Sequence, residues 1–325
     1  MTILIIGASG FVGSLLYEIL SKENEVIGTS YPQQQVKDEL QYLDITDREG
    51  VERLIREIKP SVIILAAALT YVDYCEDHQK EAFEINVLGT TNVALMAKEI
   101  GAKLVFFSTE YVFDGQAGPY SEVDLPNPIS YYGRTKLEAE RAIIDNLHDY
   151  LIIRTTVVYG YDRDGKNFIM QLIRKNTNGE IMNIPVDQIG SPTFRDNLVE
   201  ATIELIQRDK RGIYNVVGSE VMNRFEFAIL SAEILGLNKS LIVPKTTLEL
   251  GQKAPRPLKA GLKIDKVQNE IKTKLLSPKE GLEILKTRYS CVISSTRHED
   301  VKRDFPNPSF ATLINLDSYG EKEIF

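Results

Sequence analysis

Apolar residues follow two rhythms in the first half of the chain. Short continuous runs read as strands: Ile3-Leu4-Ile5-Ile6, Glu25 to Ser30, Ser61 to Ala66, Lys103 to Ser108, and a strand beginning at Leu151-Ile152-Ile153-Arg154. Runs without a polar alternation suit strands buried on both faces of a parallel sheet. Between them, Phe11, Leu15, Leu16, Ile19 and Leu20 keep helical spacing. Residues 47–59, 76–100 (as one or two helices) and 130–146 also read as helices. Strands alternating with helices predict an α/β fold, a doubly wound parallel sheet with right-handed crossovers. Ligands of such sheets bind beyond the carboxyl ends of the strands. Beyond about Tyr159 the pattern is less regular.

Composition narrows the class. The 325 residues are enough for one large or two medium domains, with an ordinary 43% apolar and 26% charged content. A net charge of −8 argues against nucleic acid or an anionic membrane as main partner. Two cysteines, Cys75 and Cys291, imply no disulfide framework and fit a reducing, cytoplasmic compartment. No signal peptide, membrane-length apolar run or internal repeat is expected. His78, His148 and His298 are scattered, so no metal site is expected. Neither a Gly-x-Ser-x-Gly elbow nor a Walker loop occurs, which argues against hydrolase and kinase chemistry.

The first apolar run ends at Gly7-Ala8-Ser9-Gly10-Phe11-Val12-Gly13 and opens a helix. Gly-x-x-Gly-x-x-Gly in that position is a dinucleotide-binding signal, one residue off the Gly-x-Gly-x-x-Gly fingerprint. Gly7 permits the tight turn, Gly10 lets amides approach a pyrophosphate, and Gly13 lets helix and strand pack closely. The helix start, with Ser9, Phe11 and Val12, presents amides to phosphate. The second strand ends in Thr29, Ser30 and Tyr31 with no carboxylate to hold an adenosine ribose. That absence favours NADP(H) and leaves NAD(H) open. Far downstream, Tyr132 and Lys136 stand four apart and so share a helix face. A lysine ammonium beside a phenol would lower the phenol pKa, giving a proton donor usable near neutral pH.

Ser108-Thr109-Glu110-Tyr111-Val112-Phe113-Asp114-Gly115 resembles the Ser-Thr-Asp-Tyr-Val-Phe-Asp-Gly segment of the dTDP-4-dehydrorhamnose reductase family, one of the extended short-chain dehydrogenase/reductases. The likeness runs on through Leu43-Asp44-Ile45-Thr46-Asp47, Ala66-Ala67-Ala68-Leu69-Thr70-Tyr71-Val72-Asp73, Asn86-Val87-Leu88-Gly89-Thr90 and Tyr132 to Glu138. It continues in Arg154 to Gly160, Gly190-Ser191-Pro192-Thr193, Gly212-Ile213-Tyr214-Asn215 and Arg256-Pro257, roughly residues 1–287 in all. The resemblance implies a Rossmann-like cofactor domain, about 1–160 plus 189–218. It also implies a smaller C-terminal substrate-binding domain, about 161–188 plus 219–287. Residues 288–325 extend past the family's end, as an additional strand, a partner-binding extension or a tail.

By the same resemblance, Thr109, Tyr132 and Lys136 match a Ser/Thr-Tyr-Lys triad. Thr109 would bind the substrate ketone oxygen and Tyr132 would protonate it. Lys136 would lower the Tyr132 pKa and hold the nicotinamide ribose. Asp44 and Ile45 would hold the adenine edge, and Ala66, Ala67 and Ala68 would pass under the dinucleotide. Glu110, Val112, Gly190, Thr193 and Arg256 would line a nucleotide-sugar cleft, with Arg256 suited to a diphosphate. Asn86 reads as helix packing. Glu110 replaces the family's Asp, and Leu65 stands where many relatives carry Asn. The activity implied is reduction of a nucleotide-activated 4-keto deoxysugar. The alternatives are an epimerase, dehydratase or reductase on another sugar nucleotide, and a regulatory subunit like the methionine adenosyltransferase beta subunit, which Val72-Asp73-Tyr74-Cys75-Glu76 also resembles. A homodimer rests on the resemblance alone.

Overall fold

The computed structural model describes residues 1–31, 39–162 and 165–295. Seven strands form one parallel sheet: β1 (Thr2–Ile6), β2 (Glu25–Ser30), β3 (Leu40–Tyr42), β4 (Val62–Leu65), β5 (Lys103–Thr109), β6 (Tyr150–Thr155) and β11 (Gly212–Asn215). Their order is β11-β6-β5-β4-β1-β2-β3, so the direction of winding reverses beside β1. Alternate residues of each apolar strand serve opposite faces. Ile3, Ile5, Val62 and Ile64 join one core with Leu16, Leu198 and Leu205. Leu4, Ile6, Ile63 and Leu65 join the other with Val51, Val93 and Ile143. The fold is thus the doubly wound, Rossmann-like sheet expected.

Helix α1 (Phe11–Leu20) follows β1 and α2 (Arg48–Ile58) precedes β4. Where the periodicity predicts one or two helices over 76–100, the chain makes four pieces. These are α3 (Val72–Asp77), α4 (Gln79–Phe83), a π-helical turn (Glu84–Gly89) and α5 (Thr90–Ile100). His78 leaves the helical region, with φ −120° and ψ 54°, and separates α3 from α4. Helix α6 (Tyr131–Asn146) carries the Tyr-Lys pair. The short β3 escaped the sequence reading, since three residues with two exposed offer little pattern.

Three two-stranded pairings build the remainder: β7 (Val158–Tyr159) with β10 (Thr193–Phe194), β9 (Ile189–Gly190) with β12 (Met222–Asn223), and β8 (Met182–Pro185) with β13 (Ile242–Lys245). A separate apolar cluster forms there around Tyr159, Ile173, Phe194, Phe227 and Leu282. Helix Pro278–Ser295 replaces the strand considered for the start of the extension, and residues 296–325, with His298, lie outside the described residues. No helix among the described residues is long and apolar enough to cross a membrane, and they contain no group of metal-binding side chains.

One buried ion pair ties α6 to the sheet. Arg154 on β6 donates from Nε and Nη2 to the two Glu140 oxygens at 3.0 and 2.6 Å, with both residues at or below 2% exposure. Removing one member leaves a charge without compensation, at a cost of about 3–5 kcal/mol. Glu140→Ala is therefore expected to lower unfolding free energy by about that amount in urea melts. The double variant E140L/R154M should recover most of it. Equal losses in both would show that the pairing itself matters little.

Candidate active site

Strand β5 delivers Thr109 to the carboxyl edge of the sheet, where Glu110–Val112 forms a single 3-10 turn. Thr109 Oγ1 accepts from the Tyr111 amide at 3.2 Å and so caps that turn. Helix α6 starts against it. Ser130 Oγ accepts from Gly133 N at 3.2 Å, and Glu76 of α3 accepts from Tyr131 N at 2.9 Å. Gly133 is required by proximity, because a Cβ there would fall 2.1 Å from the Tyr111 carbonyl oxygen. This close approach sets the Tyr132 phenol beside the Thr109 side chain. The Tyr111 ring meets Tyr132 edge-on at 5.7 Å. One turn on, Lys136 Nζ lies 3.9 Å from the centre of the Phe106 ring.

The electrostatics depart from the expectation. Tyr132 is 8% exposed and Lys136 2% exposed. Burial pushes the Tyr132 phenol up rather than down, with only the Thr109 hydrogen bond opposing. Burial likewise pulls Lys136 down to about 7, against the pull of Glu140. Desolvation disfavours both charged forms, phenolate and ammonium. The fully buried Cys75 thiol beside them is pushed up to about 12 for the same reason.

The glycine loop has the features a dinucleotide needs. Gly7 holds φ +90°, and a Cβ on Gly13 would meet the Gly7 carbonyl oxygen at 2.1 Å. Gly10 begins α1 with no side chain capping its amides, so the first turn keeps donors for an anion. Ser9 and Gly10 are exposed, while Phe11 stacks under the Arg195 guanidinium at 4.9 Å and Val12 packs on the core. Thr29 shapes the loop, its hydroxyl accepting from Gly7 N at 3.4 Å and its carbonyl from Ala8 N at 2.8 Å. Ser30 Oγ is buried without a hydrogen-bond partner. Asp44 is held by the Thr46 amide and hydroxyl at 2.8 and 2.7 Å, and Ile45 packs against Gly89. Ala66 and Ala67 donate to the Ile6 carbonyl at 2.9 and 3.0 Å, and with Ala68 present no bulk above it. An uncapped helix start and an orphaned hydroxyl at the end of β2 fit a dinucleotide.

On the opposite side, Glu110 is 5% exposed. Thr156 donates to its Oε1, whereas Oε2 is buried without a hydrogen bond. Burial pushes this carboxyl up to about 8, against the Thr156 bond and the charge of Arg224. Gly190 faces it, since a Cβ there would lie 3.2 Å from Oε1. Arg256 is a buried ion-pair member and not a surface one: its Nη2 meets Asp73 at 2.9 Å. Asp73 also accepts from Ala254 N at 2.9 Å, so α3 anchors the loop that carries Arg256.

A family model described as "RmlD substrate binding domain" matches residues 1–290. The chain belongs to this family. It is 31% identical to the dTDP-4-dehydrorhamnose reductase of Aggregatibacter actinomycetemcomitans, over 82% of this chain and 92% of the relative. It is 32% identical to methionine adenosyltransferase 2 subunit beta of Xenopus tropicalis, over 82% of this chain and 81% of the relative. Among solved structures it is similar to dTDP-4-dehydrorhamnose reductase from Bacillus anthracis in complex with NADP, with a TM-score of 0.81 and 32% identity, covering 88% of this chain and 99% of that one.

Two of the substrate-side residues expected of this RmlD-type chain are engaged by the protein itself. Val112 is fully buried in a core with Phe113, Tyr120 and Leu137. Thr193 spends its hydroxyl on the backbone, donating to Ser191 O at 2.9 Å and accepting from Gly218 N at 3.3 Å. Conversely, Asn86 does more than pack helices. From the π-helical turn it accepts from Leu69 N at 2.8 Å and donates to Leu69 O and Thr135 Oγ1 at 2.9 and 3.1 Å. It thereby links the backbone after Ala68 to α6. Its only trace in the sequence is an amide interrupting an apolar helical stretch, a residue type that favours local backbone bonding over helix interiors. Glu76, Thr156 and Arg224 carried no such signal.

The Glu110 shift has a stability consequence. An ordinary unfolded glutamate titrates near ~4.3, so the folded chain holds the extra proton from there up to about 8. Stability from this group is complete below the unfolded value and is lost as pH rises through about 8. Thermal melts of Glu110→Gln are expected to fall less steeply than those of the parent across that window. Parallel slopes would show that Glu110 is ionised in the folded protein.

Proposed function

We propose that the chain is an NADP(H)-dependent reductase of the 4-keto group of a nucleotide-activated 6-deoxysugar, with dTDP-4-dehydrorhamnose reduced to dTDP-rhamnose. The observation that carries this reading is the juxtaposition of Thr109 and Tyr132, with Lys136 one helical turn away. In this reading residues 1–160 with about 189–218 hold the cofactor, and 161–188 with 219–287 hold the sugar nucleotide. The first turn of α1, Gly10 and Ser9 receive the pyrophosphate. Ser30 and Thr29 border the adenosine ribose without a carboxylate to repel a 2′-phosphate, which is why NADP(H) is preferred to NAD(H). When bound, the cofactor supplies the hydride.

The chain's own residues position and protonate. Thr109 Oγ1 and the Tyr132 phenol converge on one ketone oxygen, and Tyr132 gives its proton to that oxygen as charge develops. Burial keeps the phenol protonated until the growing alkoxide, a stronger base than phenolate, takes its proton. Lys136 holds the nicotinamide ribose and restores the proton lost from Tyr132. Thr109, Tyr132 and Lys136 are buried, which strengthens each of these contacts.

The likeness to methionine adenosyltransferase 2 subunit beta supports a second reading, a nucleotide-binding regulatory subunit. One assay separates the two. Full-length protein, NADPH or NADH, and dTDP-4-dehydrorhamnose are followed by nicotinamide absorbance. Rapid oxidation is expected, with NADPH preferred, and Tyr132→Phe and Lys136→Met should each lower kcat by about 10²–10⁴-fold without moving the melting temperature downward. Cofactor binding with no oxidation of any sugar-nucleotide couple would favour the regulatory reading.

A further inference from the structure

Arg195 is a cation where the local backbone disfavours one. It opens the helix Arg195–Gln207, and Phe194 before it offers no side-chain cap. A helix start has unpaired amides and a positive end, so a cation in the first turn opposes the dipole. Arg195 is also only 8% exposed, which makes its charge harder to hold. A second helix start lies against it. The guanidinium carbon is 4.9 Å from the centre of the Phe11 ring, and Phe11 is the first residue of α1, after the uncapped Gly10. Gly160 borders both residues: a Cβ there would lie 3.3 Å from Arg195 Cβ and 3.6 Å from Phe11 Cζ. Two positive helix ends and a guanidinium therefore converge at the glycine loop.

The protein offsets this charge only in part. Arg195 donates from Nε to Asp196 Oδ1 at 3.1 Å, and its Nη2 stands 3.0 Å from the same oxygen. Its Nη1 makes no hydrogen bond among the described residues. Asp196 is shared, because its Oδ2 accepts from Arg288 Nη1 at 3.2 Å. One carboxylate thus serves two guanidinium groups, and the cluster stays positive beside amides that are themselves without a cap.

We propose that Arg195 is the cation that answers the diphosphate of a bound dinucleotide, with Asp196 as its counter-ion in the free protein. The proposal rests on the cofactor reading above. A diphosphate on the first turn of α1 brings two negative charges to the one place where the chain gathers uncompensated positive ones. A guanidinium fork suits phosphate oxygens, and stacking on Phe11 fixes its plane, so little freedom is lost when it binds. The adenine and nicotinamide rings carry no negative charge for it to meet. The adenosine 2′-phosphate of NADP(H) belongs at the end of β2, by Ser30.

Calorimetry on full-length protein with NADP+, NAD+ and adenosine 2′-monophosphate tests this, because the last has the adenosine end without a diphosphate. Arg195→Met should weaken NADP+ and NAD+ by the same factor, about tenfold or more, the worth of a hydrogen bond between charged groups. Adenosine 2′-monophosphate should stay within about twofold, since it binds away from the change. Asp196→Asn removes the counter-ion and keeps the guanidinium, so it should tighten both dinucleotides. Arg195→Lys keeps the charge without the fork and should fall between the parent and R195M. Unchanged dinucleotide affinity in R195M would overturn the proposal and leave the cofactor reading standing. So would equal losses for all three ligands, which mark a damaged loop, or a loss confined to NADP+, which would put Arg195 at the 2′-phosphate. A parent protein that binds neither dinucleotide would remove the cofactor reading and this proposal together.

Discussion

The site depends on how closely α6 is held against the sheet. Arg154 and Glu140 lock the middle of that helix to β6 through two charge-assisted hydrogen bonds sealed from water. At its start, Gly133 lies against the Tyr111 carbonyl oxygen with no room for a side chain. Tyr132 directly precedes the second of these fixed points and Lys136 lies between the two. A helix with this little freedom places a phenol beside Thr109 at the end of β5, which is the preorganisation a proton donor needs. Asn86 and Glu76 add a second support, binding α6 to the loop after β4 and to α3.

Rigidity comes with desolvation. Tyr132, Lys136, Cys75 and Glu110 are all displaced toward their neutral forms by burial. A lysine–tyrosine pair need not act as a fixed ion beside a phenolate. Here burial shifts both groups toward their neutral forms. The same logic explains the orphaned Glu110 oxygen, tolerable because the carboxyl need not be ionised.

The residues of the candidate site come from far apart. Thr109 ends β5 and Thr156 follows β6, Tyr132 is on α6, Asn86 in a π-helical turn and Gly190 in a two-residue strand. The short β9–β12 pairing fixes the strand of Gly190, which faces the Glu110 carboxyl. The Asp73–Arg256 ion pair crosses a comparable separation and holds the 254–256 loop to α3.

The amino-acid sequence alone determined the layered sheet, the glycine turn and the one-turn spacing of Tyr132 and Lys136. Each is written in local signals: uninterrupted apolar runs, glycines at a strand exit and residues four apart on one helix. What only the tertiary structure decided were quantities that depend on neighbours distant in the chain. Val112 and Thr193 sit in segments that read as cleft-lining, yet one is enclosed by Leu137 and Leu262 and the other is consumed by the Gly218 backbone. Asn86 meets Thr135 across 49 residues. The direction of the Tyr132 shift reversed the local expectation, because a charge four residues away can be read from spacing whereas the depth of burial around it cannot. Burial is a property of the whole packed chain, and it sets the cost of every charge placed within it.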